Sequence, residues 1–519
     1  MMVRALFFCL SGVLSLSAAD FDLVLRGGRV IDGTGNPARF ADVAVKGGKI
    51  VALGRAAGSA TREEDARGLV IAPGFIDVHT HAEEIDDLPR GENFLRMGVT
   101  TLVLGNCGSS AQNVGAFFRR CEATNISPNI ATLIGHGTVR ERAMGGEFDR
   151  PPTPEELAKM KAAVEQGMKD GAVGLSTGLI YLPGTFARTD EIIALAKVVG
   201  EHGGLYASHM RNEGADIYKS LDELFRISRE GGLRAHVSHL KLSGQENWGQ
   251  TEKVLAAIER ARTEGLDITQ DQYAYPASST SISTLIPKKY REGGKFPGHY
   301  SNEVTRAKMA EEMRSVRERG GAKDYSYAVI ASYRHDRSCN GLNIAEAAKK
   351  LHDSDELEVQ IQTILEIQKN GGAGAVFHGM SEGDVQQFMR HPNTMFASDS
   401  GVRRFNEGVP HPRGYGNSAR FLARYVREMN VLKLEDAVRR MTSLPATTFA
   451  LKNRGLVREG CWADLVVFDP AKVQDHATFE KPHQYATGFA HVFVNGVEVV
   501  KDDQHTGAKP GRALRRDAE

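Results

Sequence analysis

The segment GFIDVHTH, Gly74 to His81, is an apolar run, Phe75, Ile76 and Val78, that ends in two histidines one residue apart. Side chains alternate faces along a β-strand, so His79 and His81 point the same way and can hold one metal ion between them. With 17 histidines in 519 residues, an isolated HxH triplet arises readily by chance. Its weight comes from the ends of later strand-like runs, which carry Cys107, His209, His239 and Asp399.

Those runs are FIDVHTH, TTLVLGNCG, IATLIGHG, AVGLSTGL, GLYASHM, RAHVSHLK, LDITQDQYAY and TMFASDS, eight in all. Helical patterns separate several of them, such as PEELAKMKAAVEQGMKDG and DEIIALAKVVGEHGG, the second stopped by glycines. Eight strands alternating with helices predict an α/β fold, a (β/α)8 TIM-like barrel over residues 73–452. Such barrels collect catalytic groups at the C-terminal ends of their strands, where the candidate residues fall. A doubly wound open sheet would not bring groups from so many strands to one point. One polar, basic stretch breaks the rhythm, residues 287–341, with KKYREGGKF and RAKMAEEMRSVRERGG. It reads as an insertion between strands seven and eight, placed as a lid near the barrel mouth.

The two ends of the chain share another texture. FDLVLRGGRVIDGTGNPARFADVAVKGGKIVALG and, far downstream, GLVREGCWADLVVFDP and FAHVFVNGVEVVKDDQH are short alternating strands punctuated by Asp-Gly, Gly-Asn and Gly-Gly turns. Each piece is short for a core of its own, so residues 20–72 and 453–519 are expected to build one small β-sandwich together.

Composition is ordinary for a globular enzyme, 41% hydrophobic and 25% charged, and the formal net charge is zero. That gives no electrostatic case for nucleic acid as a partner. Residues 1–19 read as a cleavable signal peptide: Arg4, an apolar stretch from Ala5 to Ser17, and small residues Ser17 and Ala19 before Asp20. Export to the periplasm or beyond is expected, with no lipidation at Cys9 and no later transmembrane segment. Cys121, Cys339 and Cys461 are odd in number and widely spaced, unlike a disulfide framework.

Strand parity orders the candidates. Cys107 shares a face with Val103 and Gly105, His209 with Leu205 and Ala207, and Asp399 with Met395 and Ala397. On RAHVSHLK, His236 and His239 lie three apart and face opposite ways; His239, with Lys241, is assigned to the barrel and His236 to an outer helix. Four histidines, a thiolate and a carboxylate form a borderline-soft set suited to Zn²⁺. Zinc lowers the pKa of water to about 7 and polarises a carbonyl, while a carboxylate can carry a proton to a leaving nitrogen. That chemistry hydrolyses an amide-like bond.

The chain resembles the amidohydrolase superfamily and, within it, the D-aminoacylase (N-acyl-D-amino-acid deacylase) family. The resemblance rests on PGFIDVHTH, GNCG, GLSTGLIYLPGTFARTDEI, SHMRNEG, HVSHLK, ASDS, HPRGYG, MTSLPA, GLVREGCWADLVVFDP and VNGVEVVKDDQHTGAKPGR, spread over nearly the whole chain. It implies one tightly held zinc on Cys107, His209 and His239, and a weaker second position involving His79 and His81, with Cys107 as a bridge. Cys107 would replace the carboxylated lysine of other superfamily members, since strand four, GLSTGL, has no lysine. Asp399 would be general base and then acid. Lys241, Tyr273 and Arg413 would bind the free carboxylate of an N-acyl-D-amino acid. The same barrel serves cyclic amidases of the hydantoinase and dihydroorotase type, and a dipeptidase acting on C-terminal D-residues would use the same reaction. An inactive metal-binding descendant would not need Asp399. After the aspartate the chain departs from familiar members with SGVRRFNEGVPHPR, a longer loop bearing Arg403 and Arg404. His136 and His378 are read as structural or pocket-lining, not as ligands.

Overall fold

The computed structural model describes residues 19–319 and 321–516; the expected signal segment lies outside them apart from Ala19. Eight parallel strands form one sheet in chain order: β1 (Phe75–Asp77), β2 (Val99–Leu104), β3 (Asn129–Gly135), β4 (Gly174–Gly178), β5 (Leu205–His209), β6 (Ala235–Val237), β7 (Ile268–Gln272) and β8 (Thr394–Phe396). Thr80 pairs with Ser400, and the Asp399 N–H donates to the His79 carbonyl at 2.9 Å, so β1 and β8 meet and the sheet closes as a barrel. Each strand coincides with one of the eight segments read from sequence, β2 and β3 beginning one residue earlier, at Val99 and Asn129. Near-continuous apolar text suits strands buried on both faces, the interior on one side and helices on the other. The helix that leads into β4, Pro154–Lys169, starts at a Thr153/Glu156 capping box with proline in its first turn.

Ile76, Val103, Leu133, Leu205, Ala207 and Met395, from five different strands, share one cluster, which only the barrel interior can assemble. Phe449 packs beneath them.

The terminal pieces combine as expected. Strands at Phe21–Val30, Arg39–Lys46, Lys49–Gly54, Ala60–Asp65 and Val70–Pro73 join Leu465–Phe468, Phe489–Val494, Val497–Lys501 and Gln504–His505 in one sheet. The seam is the antiparallel pairing of Ile71 with Val467. The sheet curls until Lys49 bridges Trp462, and Leu25, Val43, Ile50, Leu465 and Phe493 share the enclosed core. The last residues leave this sheet and lie under the barrel: Ala513 bridges Ile130, and the Leu514 N–H donates to the Ile130 carbonyl at 2.7 Å. Gly511 permits the approach, because a Cβ there would stand 2.0 Å from the Pro128 carbonyl oxygen.

The insertion is wider than the expected 287–341. Strands Ser278–Ser281, Ala328–Ser332 and Gly374–Phe377 form a separate antiparallel sheet. Ile282, Met313, Ile330, Ile344, Ile364 and Phe377 belong to its own core. Its strands are four or five residues long, and the apolar helices Ile344–His352 and Leu357–Lys369 resemble barrel helices in sequence, so only the polar middle stood out. Among the described residues no helix is long and apolar enough to cross a membrane. Cys107, Cys121, Cys339 and Cys461 are buried free thiols.

Candidate metal centre and active site

His79 and His81 follow β1, Cys107 follows β2, His209 ends β5, His239 follows β6 and Asp399 follows β8. Three of these residues leave their strands with left-handed backbone: Cys107 at φ 52°, His239 at 36° and Asp399 at 52°. That conformation is costly for residues bearing a Cβ and persists where the surroundings enforce it. Its effect here is to turn each side chain inward over the mouth.

The Cys107 sulfur lies 3.3 Å from His79 Nε2, 3.7 Å from His209 Nδ1 and 3.6 Å from His239 Nε2. Tetrahedral zinc with ordinary Zn–S and Zn–N bonds needs sulfur–nitrogen separations of about 3.6 Å. The sulfur's distances to His209 and His239 match that value, and His79, Cys107 and His239 form one group whose ligand atoms all lie within 4.8 Å of one another. A second group, His79, His81 and Asp399, also has its ligand atoms within 4.8 Å of one another. Burial opposes charge on Cys107, but His79 and the hydrogen-bonding rings of His209 and His239 hold its thiol well below the ordinary range. Burial likewise opposes charge on Asp399; Arg413 foremost, then His79 and His81, hold its carboxyl well below the usual value.

At the end of β4, Gly178 packs against the Cys107 backbone. A Cβ at Gly178 would stand 2.1 Å from the Cys107 carbonyl oxygen.

Two lobes of one cleft flank Asp399, of about 470 and 580 Å³, and share Tyr181, Ser279 and Thr280. The first holds His81, Arg403 and Arg413; the second holds His209, His239, Lys241 and His378 together with Tyr325, Tyr327 and Phe377 of the insertion. Arg413 Nη1 is 2.9 Å from Asp399 Oδ2, and its guanidinium lies over the Tyr273 ring at 4.5 Å. The buried Tyr273 hydroxyl donates to Met380 Sδ at 3.3 Å. Lys241 Nζ donates to Glu213 Oε1 at 2.6 Å. Of the three residues expected to bind a carboxylate, Arg413 lines the first lobe and Lys241 the second, both already engaged by acids, while Tyr273 lies buried beneath Arg413 and lines neither lobe.

A sequence model of the amidohydrolase family matches residues 62–500. The chain belongs to that family. It is similar to an N-acyl-D-glutamate deacylase of Alcaligenes xylosoxydans xylosoxydans, 36% identical over 96% of this chain and 97% of the relative. It is also similar to a D-aminoacylase of the same organism, 35% identical over 96% and 98%. Among solved structures, the N-acyl-D-glutamate deacylase of Bordetella bronchiseptica, crystallised with zinc and a phosphonate inhibitor, superposes with a TM-score of 0.83 at 35% identity, covering 95% of this chain and 99% of that one. This amidohydrolase is accordingly a metal-binding enzyme acting on carbon–nitrogen bonds.

Around the donor atoms of this amidohydrolase stands an acidic frame that the sequence reading missed. Glu213 is 2.9 Å from His239 Nδ1 and 3.7 Å from His209 Nε2, the ring nitrogens turned away from Cys107. Asp271 is 3.3 Å from His79 Nδ1 and accepts the His239 N–H at 2.9 Å. Such partners fix ring orientation and tautomer in metal sites. Neither residue has the spacing of a ligand motif. Glu213 sits in a loop, and Asp271 was hidden in a strand read only for its rhythm.

His236 corrects the parity assignment. Instead of packing on an outer helix, it enters the barrel, bonds Asp271 Oδ2 at 2.7 Å and meets the Phe449 ring edge-on. β6 stops at Val237, and the turn at Ser238–His239 breaks the alternation, so both histidines point inward. His136 is held by Glu191 at 2.9 Å, away from the centre, and His378 lines the second lobe against Phe479.

Proposed function

We propose that this amidohydrolase cleaves the amide bond of N-acyl-D-amino acids, releasing a D-amino acid and a carboxylic acid. The observation that carries the reading is Asp399. It is a buried carboxylate facing the Cys107–histidine cluster, with Arg413 at 2.9 Å and His81 Nε2 at 3.2 Å.

Cys107, His209 and His239 would hold one zinc, and His79 and His81 would serve a weaker second position. Bound there, zinc supplies Lewis acidity, polarising the scissile carbonyl and bringing the pKa of water to about 7. Asp399 takes the proton from the attacking water and passes it to the leaving nitrogen, so the C–N bond breaks as the amine becomes neutral. Its depressed pKa keeps it ionised at neutral pH. Arg413, Tyr273 and Lys241 receive the free carboxylate of the D-residue. Burial holds the Tyr273 hydroxyl protonated, as a donor. Fixing the carboxylate on one side and the carbonyl on the other leaves the two remaining substituents of the α-carbon to the two lobes, which is how one enantiomer is selected. Export by residues 1–19 is part of the same proposal and is checked by N-terminal sequencing of the secreted protein.

The test is hydrolysis of paired N-acetyl-D- and N-acetyl-L-amino acids by zinc-loaded protein, before and after chelation. D-selective turnover that falls on chelation is expected. Absence of turnover with either enantiomer would overturn the deacylase reading and turn attention to D-terminal dipeptides and cyclic amides.

A further inference from the structure

The relatives differ in the substrates they are named for, a D-glutamate derivative in one and D-amino acids at large in another, at 36% and 35% identity. Overall similarity therefore does not choose this chain's substrate; the cleft must. Its first lobe contains a feature tied to the loop after Asp399. Asn93, 2% exposed, accepts the Arg403 N–H at 3.2 Å and donates to the carbonyls of Gly401 and Gly414 at 3.3 and 2.9 Å, pinning the loop to the barrel. The Arg403 side chain then lines the lobe beside His81, Asp399 and Arg413.

Its guanidinium has modest company. Nε and Nη2 donate to the Ser400 hydroxyl at 3.3 and 3.2 Å. Among the described residues no carboxylate forms an ion pair with it, whereas Arg404 next door reaches Glu407 and Arg413 takes Asp399. Glu84 and Glu141 also face the lobe, but from its exposed rim. Two guanidiniums thus face a lobe whose one buried carboxylate, Asp399, pairs with Arg413. Burial and the neighbouring Arg413 both work against the charge on Arg403, as expected for a cation short of an anion. A planar fork of donors in a partly desolvated cleft is matched by a carboxylate.

We propose that Arg403 is an anion subsite on the His81 side of Asp399, and that the preferred substrates carry a second carboxylate, on the acyl group or on the D-residue's side chain. The proposal rests on the deacylase reading above. Lys241, Tyr273 and Arg413 take the α-carboxylate, and Arg403 takes the other.

The experiment compares kcat/KM of the zinc-loaded enzyme for two charge-differing pairs: N-succinyl-D-alanine against N-butyryl-D-alanine, and N-acetyl-D-glutamate against N-acetyl-D-methionine. In the native protein one dicarboxylate exceeds its neutral counterpart. Arg403→Met lowers that ratio about 10- to 100-fold, the scale of a lost hydrogen bond to a charged group, chiefly through KM. Arg404→Met leaves the ratio in place. Loss confined to the first pair locates the anion on the acyl group, and loss confined to the second locates it on the side chain. Arg403→Gln, which keeps the stem and a donor for Ser400, gives the same answer should Arg403→Met melt early. Turnover of the neutral substrates with no dicarboxylate preference, or an unchanged ratio in both variants, overturns the subsite and leaves the deacylase standing. No turnover of any N-acyl-D-amino acid overturns both.

Discussion

Removing the Asp399 carboxylate without changing its shape separates proton transfer from metal binding. Asp399→Asn is expected to lower kcat by about 10²- to 10⁴-fold, the usual weight of a positioned acid–base group. Metal analysis should find the zinc bound through Cys107, His209 and His239 unchanged. Glu213→Gln should act the other way. It removes the negative charge from the acceptor of His239 Nδ1, 2.9 Å away, and is expected to weaken zinc binding about 10- to 100-fold in a chelator competition. At this scale much of the centre was legible, because histidines, a cysteine and an aspartate at strand ends carry a chemical signature. Glu213, Asp271 and the inward turn of His236 were not. The first two act through other side chains, and the third depends on where β6 ends, which residue type does not encode.

Between elements, the helices His136–Met144 and Thr189–Glu201 are locked by a buried network of Glu191 with His136 and Arg140. Glu191→Gln leaves the Arg140 guanidinium, 0% exposed, without its counter-charge, and is expected to cost about 3 kcal/mol in denaturant unfolding. Burial pushes against the Glu191 charge, but His136 and Arg140 hold its folded pKa below the ordinary 4.5. A carboxyl depressed on folding stabilises above its unfolded pKa and loses that contribution as pH falls through the folded value. The gap in melting temperature between native protein and Glu191→Gln should therefore be full at pH 7 and close below about pH 4. All eight barrel strands could be found in sequence, most as short apolar runs ending in glycine or a polar turn, although Ile268–Gln272 is largely polar and stood out by its place in the rhythm. The insertion's strands could not: Ser278–Ser281 is polar, and Gly374–Phe377 looks like any barrel segment.

At the scale of the whole molecule, the C-terminal part of the chain returns to the barrel. Asp464, paired with Arg454, accepts from Asn129 at 3.2 Å and from the Asn495 N–H at 2.8 Å, joining the terminal sheet to β3. The tail adds backbone bonds from Gly511, Leu514 and Arg516 to Ile126, Ile130 and Gly171. Deleting residues 506–519 should cost about 3 kcal/mol from those three bonds alone. KM should be kept, since the tail lies at the face opposite the cleft; a changed KM would contradict that separation. The small β-domain assembled from both termini was foreseeable because neither piece buries a core alone, whereas the tail's path under the barrel is fixed by backbone contacts with no sequence pattern. The most direct test of the centre is titration of zinc into chelator-stripped protein and its Cys107→Ser variant, following bound metal and turnover of an N-acetyl-D-amino acid together. Activity that rises to its maximum at about one equivalent, with weak binding and little activity in the variant, is the result expected of a single zinc held by Cys107, His209 and His239. Full turnover in metal-free protein, or tight zinc and undiminished activity without the Cys107 thiolate, would contradict it.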